Sequence, residues 1–130
     1  VGDSPLFLFR DNVIHRLNED HSLTPYLDQL LAFGKINKDE YQTDARHNQV
    51  TSVLMGEDIP KIDVCNDGFQ LLDGDILLAA SDGLETLPPD AIADMCSNNG
   101  NSSIATLLID AVIDCGARHQ DNTTVIAVKV

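Results

Sequence analysis

Basic residues are scarce in this chain. Eight Lys and Arg stand against 21 Asp and Glu in 130 residues, a formal net charge of −13 with a pI near 4.3. Such a field repels nucleic acid and anionic lipid, which argues against a backbone-phosphate binder or a membrane-surface protein. Long apolar runs are lacking as well. None approaches the ~20 residues of a membrane span, and no basic-then-apolar signal sequence is present. Cysteine is sparse: Cys65, Cys96 and Cys115 show no metal-ligand pair spacing and cannot all pair. Cys115 falls on the apolar stripe of a predicted helix, so a reduced core thiol and a reducing, cytoplasmic setting are expected. Internal repeats, low-complexity tracts and separating linkers are also missing, and a single domain over 1–130 is expected. The chain lacks an initiating Met and opens in mid-pattern, as a fragment would.

What is present is ordinary for a globular domain. Apolar residues make up 43%, mean hydropathy is −0.07, and a chain of this length buries roughly two-thirds of its unfolded surface. Most of the negative charge reads as a solvated surface. A sharper reading is that several carboxylates crowd one place and need a cation. At ~4 Å and an effective dielectric of about 20, two like charges repel by about 4 kcal/mol.

The segment Gly74-Asp75-Ile76-Leu77-Leu78-Ala79-Ala80-Ser81-Asp82-Gly83-Leu84 is the most telling stretch. Five apolar residues, the pattern of a strand buried on both faces, end in an aspartate followed by glycine. A rigid strand thereby delivers a carboxylate to the rim of a sheet, where it suits a hard cation, and the glycine gives room for a sharp turn. Asp121-Asn122 precedes another nearly all-apolar strand, Thr123–Val128. Asp3 stands just before Leu6-Phe7-Leu8-Phe9. Singly, Asp-Gly and Asp-Asn are common turn punctuation.

The remaining pattern is mixed. Leu6–Arg10, Asp11-Asn12 and Val13–Leu17 predict a β-hairpin. Thr24 as N-cap, Pro25 at the first helical position and Gly34 just past the end predict a helix lined by Leu27, Leu30 and Leu31. Asn37 with Glu40 predicts a second, short helix. Residues 24–56 therefore form an insertion between strands. Ile62–Cys65 and Phe69–Leu72 are short strand candidates, and Asp73-Gly74 a turn before strand Ile76–Ala80. Pro88-Pro89 opens a helix that ends at Asn98-Asn99-Gly100. Ile104, Leu107, Leu108, Ala111, Val112 and Cys115 fall on one face of a helix over 103–115, stopped by Gly116. The last strand is Thr123–Val130.

Taken together these pieces resemble the C-terminal half of the type-2C metal-dependent protein phosphatases (PPM family), in their bacterial form. The likeness runs from residue 1 to 130 in the family's order. It comprises Val1-Gly2-Asp3-Ser4, Glu19-Asp20-His21-Ser22, His47-Asn48-Gln49-Val50-Thr51 leading to Leu54-Met55-Gly56, then Gly74-Asp75 with Leu78 through Leu84, and Asp121-Asn122-Thr123-Thr124-Val125. The resemblance implies an α+β fold, an antiparallel β-sheet with outer helices, about half of a four-layer α/β/β/α sandwich. Two helices cover one face of such a sheet, so the other is expected to take a missing N-terminal half or a second copy.

The resemblance further implies hydrolysis of phosphoserine or phosphothreonine proteins by a metal-bound hydroxide, with Mn²⁺ or Mg²⁺ as cofactor, two or three ions in the intact family. Asp82 and Asp121 match the family's metal-binding aspartates. Asp3 matches an additional ligand of bacterial members, but Pro5 stands where the family usually carries Arg, and a turn or capping aspartate is the other reading. Residues 24–56 match the family's flap, where substrate preference is set and where Arg46 could meet a phosphopeptide. His21 reads as a hydrogen-bonded scaffold residue and His119 as an exposed loop histidine; neither they nor His15 and His47 have helical zinc spacing. The family's Asp-Gly-(His/Met)-Gly-Gly element, its N-terminal acidic ligand and its phosphate-gripping arginine have no counterpart here. No catalytic residue is assigned, and weak, single-ion binding with little or no turnover is expected. The rivals are a non-catalytic binding or assembly module on the same fold, and an unrelated acidic α+β domain.

Overall fold

A computed structural model describes residues 1–47, 49–98, 103–117 and 120–130. The described chain falls into two compact units. One comprises Val1–Asp3 and Glu19–Val64, the other Ser4–Asn18 and Cys65–Val130.

The larger unit is built on a four-stranded antiparallel sheet. Strands β1 (Leu6–Arg10), β2 (Val13–Arg16), β3 (Ile76–Ala80) and β4 (Val125–Lys129) lie in the order β2-β1-β3-β4. The hairpin joining β1 to β2 turns on Asp11 and Asn12, whose φ values of 53° and 62° are those of a type I′ turn. Asp73-Gly74 forms the expected turn: Gly74 has φ 92° and Asp75 N donates to Leu72 O. Register places Phe7 beside Leu78, Phe9 beside Ile14 and Ile76, and Leu78 beside Ala127. This face carries the core.

Two helices cover it, α3 (Pro89–Ser97) and α4 (Ile104–Cys115). Ile92, Ala93 and Cys96 of α3 and Leu108 and Val112 of α4 pack with Phe7, Phe9, Ile76 and Leu78, joined by Leu84 and Leu87. Helix α4 ends at Gly116, which adopts the left-handed conformation (φ 57°). The expected stop of α3 at Asn99-Gly100 lies outside the described residues; Asn98 caps the helix.

The smaller unit holds α1 (Thr24–Ala32) and α2 (Lys38–Thr43). Helix α2 starts with a full capping box between Asn37 and Glu40. Leu27 is its one buried large apolar side chain in α1. A single bridge pairs Ser22 with Val50. His21 N donates to Gly2 O at 3.1 Å, and His21 O receives Thr51 N at 2.6 Å.

Several expectations are corrected. Thr24 does not cap α1: Leu23 stands at that position, and the Thr24 hydroxyl donates instead to the His47 carbonyl at 3.0 Å. Segments 62–65 and 69–72 form no strand; Ile62, Val64, Phe69 and Leu72 are exposed, and Leu72 N is held by the Asp75 carboxylate. Short apolar runs need a partner edge to become strands. Cys115 is exposed at the last position of α4, whereas Cys96 is the buried thiol. Burial pushes the Cys96 thiol up to about 11.

Strands β3 and β4 are also not covered on both sides. Register puts Leu77, Val128, Ala79 and Ile126 on the face opposite the helices. Leu8 on that face is buried, but Ile126 is 61% and Val128 51% exposed. Among the described residues no helix is long and apolar enough to cross a membrane.

Candidate metal centre

The end of β3 and the approach to β4 are locked together. Ser81 N donates to Thr124 O at 3.0 Å, Ser81 Oγ donates to Asn122 O at 3.1 Å, and the same Oγ accepts Thr124 N at 3.0 Å. One hydroxyl thus continues the β3–β4 ladder past its last residue pair, Ala80 with Val125. The next residue, Asp82, begins a short 3₁₀ helix over Asp82–Thr86 whose Leu84 is fully buried. Leu84 anchors this turn in the core and fixes the level at which Asp82 emerges from the sheet.

Gly83 explains how closely the two segments approach. A Cβ there would overlap Thr123 Oγ1 and stand 2.8 Å from Asn122 O and 3.1 Å from Asp121 O. Any side chain would therefore push the Asp121–Thr123 loop away. Gly83 is not among the residues with positive φ. The glycine serves close packing, not the sharp turn that its position after an aspartate suggests.

The structure therefore brings the segments bearing Asp82 and Asp121 into direct contact at one rim of the sheet. Asp82 is half-buried and Asp121 exposed. Asp121 Oδ1 accepts its neighbour's Asn122 N at 2.7 Å, which sets the carboxylate's orientation against its own backbone. Asp3 belongs to the smaller unit, next to the Gly2 carbonyl that receives His21 N. Among the described residues no group of three or more His, Cys, Asp or Glu gathers closely enough to hold a metal ion. The oxygen-only donors of the rim suit Mg²⁺ or Mn²⁺ by type, and their number leaves most of an octahedral shell to other ligands.

The other singled-out residues have different roles. His21 is 1% exposed; among the described residues its ring nitrogens make no hydrogen bond, Nε2 lies 3.7 Å from a Glu19 carboxylate oxygen, and its hydrogen bonds run through its backbone. Arg46 is engaged by Asp44 through two bonds of 2.9 and 2.6 Å, which hold the Asp44 carboxyl down to about 2. His119, and Asn48 of the His47–Thr51 element, lie outside the described residues. Ser81 was not foreseen. The signal was available: a hydroxyl between an apolar strand and an Asp-Gly pair sits where a ladder would otherwise end.

No family model matches the chain. It is 33% identical over 131 residues to the serine/threonine phosphatase stp of Listeria innocua, a match covering 99% of this chain and 49% of the relative. The PPM Ser-Thr phosphatase MsPP of Mycobacterium smegmatis, crystallised with cacodylate, superposes with a TM-score of 0.62 at 29% identity. That match covers all of this chain and 53% of the other. The catalytic domain of the serine threonine protein phosphatase PstP, in complex with two manganese ions, gives a TM-score of 0.61 at 23% identity. There the match covers 98% of this chain and 50% of that one. The chain thus spans about half the length of the curated relatives and solved structures it matches. Its fold is that of about half of a PPM phosphatase: an antiparallel sheet with outer helices. These likenesses support a C-terminal PPM half.

Proposed function

We propose that this chain is the C-terminal half of a PPM-type protein serine/threonine phosphatase, in which Asp82 and Asp121 supply metal ligands. The observation that carries the reading is the Ser81–Thr124 clasp with Gly83 pressed on Asn122, which sets two aspartate-bearing segments side by side at a sheet rim. Bound divalent cations would neutralise phosphate charge and make a water molecule acidic enough to attack phosphorus at neutral pH. The role of this chain's residues is to hold carboxylate oxygens on a rigid support: β3 and the buried Leu84 for Asp82, the Ser81 clasp for Asp121.

The substrate class that follows is a phosphoserine or phosphothreonine protein. Residues 24–56 serve as the flap, and the bare sheet face around Ile126 and Val128 receives the other half of the phosphatase, or a second copy where that half is missing. With two aspartates the isolated chain binds Mn²⁺ weakly and turns over little or no phosphoester.

Paramagnetic broadening by Mn²⁺ in NMR spectra of the chain tests the assignment. Resonances of residues 81–83 and 121–123 are expected to broaden first, and Asp82→Ala or Asp121→Ala to abolish that selectivity. Broadening centred elsewhere on the chain overturns the metal assignment. Hydrolysis of p-nitrophenyl phosphate with excess Mn²⁺, abolished by Asp82→Ala, would instead make the chain a competent enzyme by itself. Metal-insensitive stability together with a fixed dimer mass would favour a non-catalytic module.

A further inference from the structure

The sheet of the larger unit ends on β2, and the hairpin fixes which backbone groups of that strand face outward. A two-residue turn makes Arg10 and Val13 the first hydrogen-bonded pair, so alternation gives the next bonds to Leu8 with His15 and Leu6 with Leu17. Leu17 N donates to Leu6 O at 2.8 Å, in phase with that pattern. Ile14 lies opposite Phe9 in a non-bonded pair, and its N–H and C=O therefore point away from β1. Its half-buried side chain shares the helix-covered face with Phe7 and Phe9.

A cavity of about 170 Å³ lies on that face. Phe7, Ile14, Leu87, Pro89 and Ile92 give it apolar walls, and Glu85 adds a polar one. An apolar cavity of ~150 Å³ is large enough to take up benzene, so a phenylalanine or leucine side chain suits this volume. Helix α3 runs alongside β2 as far as the hairpin turn, where Ser97 Oγ stands 3.1 Å from Asn12 Oδ1. The charges at the two ends of β2 differ. Arg16 meets Glu85 at 2.8 Å at one end, while the exposed Asp11 marks the other, and Asp90 is exposed in the first turn of α3.

We propose that the outer edge of β2 and this cavity form a docking groove for an extended peptide, which joins the sheet as a further antiparallel strand and seats a Phe or Leu side chain in the cavity. The residue opposite Ile14 exchanges both backbone hydrogen bonds with it, and directly opposed residues carry their side chains on the same face. That side chain therefore stands beside Ile14, over the cavity. Antiparallel counting puts the peptide residue two positions earlier opposite Arg16, and the one two positions later opposite Asn12, next to Asp11. Like charges directly opposed repel, so a basic residue belongs two positions after the apolar anchor and not two before it. The net charge of −13 favours a basic partner of this kind. The groove goes beyond the phosphatase reading and does not depend on it.

NMR titration of the whole chain with capped five-residue peptides tests this. The first peptide reads threonine, threonine, phenylalanine, threonine, lysine. Its addition is expected to shift resonances of residues 13–16 and 87–92 together. Alanine in place of the phenylalanine should weaken binding at least about tenfold, the effect of losing a buried aromatic side chain. N-methylation of the phenylalanine amide removes one backbone bond to Ile14 and should weaken it about fivefold. Moving the lysine to the first position keeps composition and charge, and should also weaken binding about fivefold through repulsion at Arg16. Equal affinity for all four peptides overturns the proposal, because it reveals charge attraction alone. Absence of shifts at millimolar peptide overturns it too, as do shifts confined to other parts of the chain. Concentration-dependent shifts of residues 13–16 without peptide, matched by a dimer in light scattering, would give the edge to a second copy and likewise overturn it.

Discussion

Gly83 lies so close to Asn122 that a Cβ built on it would stand 2.8 Å from the Asn122 carbonyl oxygen. That approach sets the spacing of the two rim segments, since Ser81 clasps the same loop from two residues earlier. Gly83→Ala is expected to cost about 1–3 kcal/mol, the usual price of overpacking a tight contact. Urea unfolding measures it. Adding Thr123→Ala should restore only part of the loss, because the Asn122 backbone oxygen remains in the way. Unchanged stability in Gly83→Ala would mean that the loop yields freely and the rim is not rigidly spaced.

The proposed metal role of Asp121 is separable from folding. It is exposed, and its carboxylate accepts from the neighbouring Asn122 N, an interaction an amide oxygen also makes. Asp121→Asn should leave metal-free stability within about 0.5 kcal/mol of the unaltered chain. Any upward shift of the melting temperature by Mn²⁺ should disappear in the variant, because a ligand stabilises only through the state it binds. A full Mn²⁺ shift retained by Asp121→Asn would remove Asp121 from the ligand set.

Arg10 and Asp75 form a part-buried ion pair in the sheet unit, and they give it an acid-sensitive joint. Arg10 Nε and Nη2 reach the Asp75 carboxylate at 2.9 and 2.5 Å, and Leu72 N donates to it at 2.8 Å. The guanidinium first, then the Leu72 amide, hold the carboxyl down to about 2 from an ordinary value of 3.8. A depressed carboxyl contributes stability above its unfolded value and loses it as pH falls toward the folded one. Thermal melting should therefore show stability falling between about pH 4 and 2, with a shallower fall in Asp75→Asn. Parallel acid profiles for both proteins would show that the pair adds nothing.

Local chemistry was legible in the sequence wherever it is self-contained. The Asp11-Asn12 hairpin, the Asn37–Glu40 capping box, the Gly116 stop and the apolar stripe of α4 each depend on residues within a few positions of one another. What depends on distant partners was not. Thr24 looks like a cap, yet its hydroxyl is drawn away by His47, 23 residues on. Ile62–Cys65 and Phe69–Leu72 have strand composition but no edge to pair with. Cys115 follows the helical period of its stripe, yet the core ends one turn earlier at Val112. At the rim, the sequence marked Asp82 and Asp121 as strand-end carboxylates, while the Ser81 clasp that brings their segments together spans 43 positions. Periodicity carries no signal over that distance.

The uncovered sheet face yields the last prediction. Ile126 and Val128 are 61% and 51% exposed on β4, an edge strand, while Leu78 on the opposite side of the neighbouring strand is fully buried. Replacing both with Thr keeps β-branched side chains suited to a strand and removes apolar surface only where water already reaches it. The double variant Ile126→Thr with Val128→Thr should stay within about 0.5 kcal/mol of the unaltered chain, whereas Leu78→Ala should cost about 2–5 kcal/mol. If the face is built to be covered by another polypeptide, the same double change should weaken concentration-dependent association seen by light scattering. It should likewise weaken docking of a separately supplied N-terminal half. An edge strand that stays monomeric before and after the change needs no cover, and the bare face would then be ordinary surface.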